Sequence, residues 1–199
     1  MSNYCATYIR IVGVYKEAQL LYDLLEWAKE KVPNGWIGEI GNLLGVVDIS
    51  DGNTYYRGTK EYISCHSRIE EIYFDAHTNE VTISVGDDWS PQLSVYSLLQ
   101  KKFAPNCKLF FTGEEPGGDV YVTNDPEYIG KWLVDVETNE DGDCESLWYV
   151  DESVAKEFLQ KKLQSDSESM DELTRLAYES DDYISVHQFS EASVEDFCC

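Results

Sequence analysis

The order in which two hydrophobic periods follow one another most limits what this chain can fold into. Ala6 to Val12 is rich in β-branched and aromatic residues and reads as a strand, ended by Gly13. Over residues 16–32, Leu21, Leu24, Leu25, Ala28 and Val32 recur at helical spacing, and Pro33-Asn34-Gly35 stops the helix. Trp36 to Thr59 is the least periodic and most glycine-rich stretch; it predicts loops with short extended pieces such as Leu44 to Ile49. Tyr62 to Phe74 and Glu80 to Val85 read as a hairpin around Ala76-His77-Thr78-Asn79, with a single helical turn allowed within 66–72. Ser90-Pro91 carries the signature of a helix start, with Trp89 placed as a hydrophobic staple and an apolar stripe through Val95, Leu98, Leu99 and Phe103. Cys107 to Thr112 and Asp119 to Val122 then read as strands joined across Glu114-Glu115-Pro116-Gly117-Gly118.

Strand, helix, two strands, helix, two strands is the order of an α+β domain. The expected architecture is a ferredoxin-like antiparallel sheet with its helices packed on one face, since that arrangement buries every stripe. A C-terminal β-hairpin and two helices extend it. Lys131 to Glu137 and Glu145 to Val150 form the hairpin, Asp151 opens a helix to Leu163, and Ser169-Met170-Asp171-Glu172 is a capping box opening a helix to Tyr178. Tyr183 to Phe189 alternates as a last strand. The expected organisation is a ferredoxin-like domain over 1–125, an acidic elaboration over 126–190 packed on or extending the same sheet, and a flexible tail over 191–199.

The second constraint is charge. Acidic residues number 38 against 15 basic ones, for a net charge of -23. They are unevenly spread: residues 1–124 hold 17 acidic and 10 basic groups, residues 125–199 hold 21 and 5. With 13% aromatic residues the chain is too rich in core-forming side chains to be a disordered polyanion, so the charge decorates a folded surface. Such a surface repels phosphate backbones and anionic lipids and attracts cations. Direct nucleic-acid binding and membrane binding are therefore not expected. The start has no secretory signal pattern and no apolar run reaches membrane-helix length, so a cytoplasmic location is expected. Cys5, Cys65 and Cys107 lie in apolar stretches and read as small buried hydrophobes; Cys198 and Cys199 end the polar tail.

Three short motifs point to a family. Arg57-Gly58-Thr59-Lys60, Asp87-Asp88-Trp89-Ser90-Pro91 and Glu114-Glu115-Pro116-Gly117-Gly118, with the opening Asn3-Tyr4-Cys5, resemble the YubB-type ferredoxin-like domain family over about residues 1–125. Gln92 stands where a second proline is usual, and Tyr56-Arg57 where a tryptophan often precedes Gly-Thr-Lys. The resemblance implies the ferredoxin-like fold and a bacterial, plasmid or phage setting; it implies no established activity.

No catalytic motif stands out. His66, His77 and His187 lack ligand spacing to one another or to cysteines, so no metal or other cofactor is expected. Glu137-x-Asn139-x-Asp141-Gly142 opens like a calcium loop but has Trp148 at the twelfth position, and reads as a hairpin turn. The expected function is a non-enzymatic protein-interaction module whose partner is a protein, with a basic one favoured by charge. Its expected contact residues are Glu137, Glu140, Asp141, Asp143, Glu145, Trp148, Asp166, Glu168, Asp171, Glu172, Asp181 and Asp182, with Trp132 and Tyr149 as further aromatic anchors. The alternative is an acidic nucleic-acid mimic that inhibits a defence or DNA-handling protein. A third reading makes Lys60, Asp87, Asp88 and Trp89 line one pocket of a small-ligand binder or enzyme.

Overall fold

A computed structural model describes residues 4–117, 119–137 and 144–198. The chain divides into two compact units, one of residues 1–125 with 192–199, the other of residues 126–191.

In the first unit β1 (Tyr4–Val12) leads to α1 (Tyr15–Lys31), α2 (Ile37–Leu43), and the strands β2 (Val47–Ser50), β3 (Asn53–Tyr56) and β4 (Tyr62–Ile63). β5 (Ser67–Asp75), β6 (Glu80–Asp88), α3 (Ser94–Phe103), β7 (Lys108–Glu115) and β8 (Val120–Thr123) follow. The large sheet runs β8-β7-β1-β6-β5, every neighbouring pair antiparallel. β2, β3 and β4 form a small sheet of their own. The alternation that makes β1 a strand sets its faces. Ile9 and Ile11 point to the helices and are buried, while Tyr4 and Tyr8 point away and are exposed. Leu21, Leu25 and Ala28 of α1 are fully buried against Ile83, Val81 and Leu99 in one core. Each such leucine contributes roughly 1.5–3 kcal/mol through removal from water.

Several boundaries depart from the sequence reading. The glycine-rich stretch after Trp36 holds a helix and a hairpin rather than loops. Gly38 and Gly41 sit inside α2, where a Cβ would come within 2.7 Å of Thr54 Oγ1 and of Val95 Cγ1 respectively. These glycines serve close packing, not chain breaking. Tyr62 to Phe74 is two strands in two sheets, and a bulge between Ile69 and Glu71 replaces any helical turn. α3 begins at Ser94, not at Ser90. Trp89 takes a left-handed backbone (φ 68°) and stands 61% exposed, so it staples nothing. Residues 192–198 are not loose: Val194, Phe197 and Cys198 pack on the main core. The Phe197 ring meets Phe111 edge-on at 5.5 Å, and the Leu93 amide donates to the Phe197 carbonyl at 3.1 Å.

The second unit holds β9 (Trp132–Glu137), β10 (Cys144–Val150), α4 (Glu152–Leu163), α5 (Met170–Tyr178) and β11 (Tyr183–Gln188). Its sheet order is β10-β9-β11. The hairpin β9–β10 thus belongs to a separate three-stranded sheet instead of extending the first one, because β11 returns to pair along β9 from Tyr183 to Gln188. Val134 and Val136 bury against Ala155, Leu159 and Leu173. The Ser169 hydroxyl accepts from the Glu172 amide at 3.4 Å, the capping geometry read from the sequence.

Candidate binding face and cleft

The helix-free face of β1, β6 and β5 is built by register. Glu71, Ser84 and Tyr8 form one row across it, Arg68, Gly86 and Ala6 the next, and Asp88 and Tyr4 the last. The middle strand offers only small side chains, Thr82, Ser84 and Gly86, between longer ones on β5 and β1. Tyr8 and Tyr73 stand exposed on either side. Tyr4 crosses the groove at Gly86. A Cβ on Gly86 would lie 2.7 Å from Tyr4 Cε2, so only glycine lets that ring lie down and its hydroxyl donate to Glu70 Oε1 at 2.7 Å.

Beyond Tyr4 lies a cleft of about 350 Å³ lined by Trp36, His66, Arg68, Glu70, Asp87 and Asp88, among others. The Arg68 guanidinium sits over the Trp36 ring at 5.8 Å, and His66 Nδ1 lies 3.9 Å from Asp88 Oδ2. Trp36 and His66 also wall a second cleft of about 280 Å³ against Glu39, Thr54 and Tyr62. Charge on the open face is negative. Arg10 is engaged by Glu80 through two hydrogen bonds, at 2.9 and 3.0 Å, and by Asp125. Glu70 and Glu71 have no ion-pair partner among the described residues. The Tyr8 hydroxyl is pushed above its ordinary range by burial and then by Glu114, Glu70 and Glu71. The Tyr4 hydroxyl is raised by burial and by its bond to Glu70.

Of the four residues expected to share a pocket, Asp87 and Asp88 both line the first cleft, and the other two do not. Asp87 and Asp88 are consecutive on β6 and therefore point to opposite faces. Asp88 lines the cleft as an exposed side chain, whereas Asp87 lines it while only 1% exposed. There the Asp87 Oδ2 accepts from the Thr7 hydroxyl at 2.6 Å and the Gln92 amide at 3.1 Å, which ties down the loop before α3. Its Oδ1 has no hydrogen-bond partner among the described residues; the Ser67 hydroxyl nearby is engaged with Tyr96 at 3.0 Å. Burial pushes the Asp87 carboxyl up to about 6, against the opposing pull of Ser67, Thr7 and the Gln92 amide. Lys60 lies in the turn between β3 and β4, and neither it nor Trp89 lines either cleft.

The acidic residues of the second unit lie on different elements. Glu137 ends β9, Glu145 on β10 pairs with Lys162 at 2.6 Å, and Trp148 is half exposed beside Tyr149. Asp166 and Glu168 border an open hollow with Lys161. Asp171 and Asp181 are exposed and Asp182 is half-buried. Glu172 and Glu179 are both held by Arg175 at 2.8 Å. Glu140, Asp141 and Asp143, and the calcium-like loop they belong to, lie outside the described residues. Trp132 packs on the second core, and Tyr149 (φ 56°) joins Tyr128 and Phe189 with ring centroids at 4.5 and 5.2 Å.

Among the described residues no three of His, Cys, Asp and Glu gather as a metal site would need, and no helix is long and apolar enough to cross a membrane. Tyr4, Trp36, Arg68 and Glu70 were not singled out by sequence reasoning. The signal that could find them is the small-residue alternation Thr82, Ser84, Gly86, which becomes a groove only once its neighbours in register are known. No family model, curated protein or solved structure matches the chain.

Proposed function

We propose that this protein is a non-enzymatic interaction module that recognises a basic protein partner. The observation that supports this best is the open tyrosine-bearing face of the large sheet, with carboxylates that lack internal cations, in a chain of net charge -23. Exposed aromatic side chains supply contact area at low entropic cost, and uncompensated carboxylates steer a cationic partner. The first unit is read as a ferredoxin-like domain of the kind its motifs resemble. The connectivity β1-α1-β5-β6-α3-β7 with strand order β7-β1-β6-β5 supports that reading.

The test is affinity capture with the full chain from cells that naturally express it, repeated at low and high salt, followed by binding of each captured protein in purified form. A basic partner released by salt supports the reading. Retention of neutral or acidic proteins only, or of none, would sink it.

A further inference from the structure

We propose that the groove along β6 is the docking site for an extended, arginine- or lysine-bearing segment of the partner. The inference rests on the interaction-module reading and assigns its surface. Three features carry it. The first is shape. From the Ala6–Gly86 row, where the Tyr4 ring closes it, to the Arg10–Thr82 row the groove spans five residues of β1, roughly 13 Å at strand rise, about the length of four extended residues. Its open floor is Thr82 and Ser84, with the Tyr4 ring lying over Gly86 at one end, so a backbone can lie close to the sheet between them.

The second is the pair of platforms. Tyr8 and Tyr73 stand exposed on opposite banks. Their rings suit the flat faces of guanidinium groups and the methylene stems of lysines. The third is charge complementarity. Glu70 and Glu71 project from the bulged part of β5 with no cation of their own, and Asp88 closes the end. The cations on this face are occupied: Arg10 by Glu80 and Asp125, Arg68 by the Trp36 ring. A cationic segment would meet carboxylates left unneutralised by the fold, whereas a nucleic-acid strand or an anionic lipid surface would be repelled by them.

The test uses the full ¹⁵N-labelled chain and a ten-residue peptide of alternating arginine and glycine, with an alternating glutamate–glycine peptide as control. Amide shifts concentrated in Tyr4–Arg10, Ser67–Tyr73 and Val81–Asp88 support the assignment. With a fluorescent arginine–glycine peptide, Tyr8→Ala and the double variant Glu70→Gln/Glu71→Gln should each weaken binding roughly tenfold. Asp166→Asn/Glu168→Gln removes the same number of charges from the second unit and should leave binding within about twofold. Shifts spread over both units, or equal weakening by the two double variants, overturn the groove and leave a diffuse electrostatic interaction, so the module reading survives. No binding of the arginine–glycine peptide also overturns the groove. The shift map on the wild-type chain needs no variant, so a misfolded substitution does not spoil the outcome.

Discussion

Asp87 makes stability depend on pH in the direction opposite to most carboxylates. Its carboxyl is raised to about 6 in the folded protein, chiefly by burial. An unfolded aspartate titrates near 3.9. Between those values the folded state holds the proton more tightly than the unfolded one. The contribution of this group is therefore fully present below about pH 4 and is lost as pH rises through about 6. Two pKa units at 1.36 kcal/mol each make that loss about 3 kcal/mol, a substantial part of the roughly 5–15 kcal/mol available to a domain. Exposed carboxylates contribute far less, because solvent screens them. Asp87→Asn removes the titration while keeping an acceptor for Thr7 and the Gln92 amide. Urea unfolding of both proteins across pH 4 to 7 at constant ionic strength gives the difference between them, in which every other acidic group cancels. Groups facing Asp87 shape the curve only weakly: Cys5, opposite it in register, has its thiol pushed up to about 12, and Asp88 lies across the sheet. The wild type should lose about 3 kcal/mol relative to Asp87→Asn as pH rises, levelling off above about 7. A flat difference, or one that grows in favour of the wild type with pH, would refute burial as the dominant effect on this carboxyl.

Three further outcomes follow from the packing. Arg10→Met leaves the 4%-exposed Asp125 side chain and Glu80 without their shared cation, and should cost about 3 kcal/mol in urea unfolding; a loss below about 1 kcal/mol would place the pair among surface ion pairs. Phe197→Ala removes the ring that meets Phe111 and should cost about 2 kcal/mol, with the C-terminal segment becoming the first site of limited proteolysis. Gly86→Ala should lift the Tyr4 ring, cost about 1 kcal/mol and shift the Tyr4 ring resonances in NMR spectra; unchanged resonances would contradict the ring's position on the sheet.

Local patterns carried part of this structure and non-local ones the rest. α1 is legible because Leu21, Leu25 and Ala28 face one core, so period and burial agree. α5 is legible because Ser169 and Glu172 form a cap within four residues. α2 is not, because glycine reads as a breaker, and the reason for Gly38 and Gly41 lies on β3 and α3, far along the chain. The helix start at Ser90-Pro91 fails for a similar cause. The loop is held by Asp87 through the Gln92 amide, a contact that displaces the helix to Ser94. The site fared worst. Asp87 and Asp88 reach the first cleft from successive positions of β6, but Lys60 and Trp89 line neither cleft, and nothing local in the sequence separates the two pairs.

The same logic explains why so much negative charge survives on the surface. A chain can neutralise carboxylates internally only with cations that reach them. Here several cations are directed elsewhere by the fold. Lys29 donates to the Glu70 carbonyl, Arg57 to the Gly45 carbonyl, and Lys102 to the carbonyls of Leu44 and Gly45, both at 3.0 Å. Those bonds satisfy main-chain acceptors where α2 ends and where β5 forms the sheet edge. They leave the side chains of Glu70 and Glu71 uncompensated beside the very carbonyl that Lys29 holds. At that edge the Lys29 ammonium occupies a main-chain acceptor that strand addition by another chain would need. The acidity of the groove is thus a consequence of how the helices and the edge are secured, and it remains available to a cation from outside.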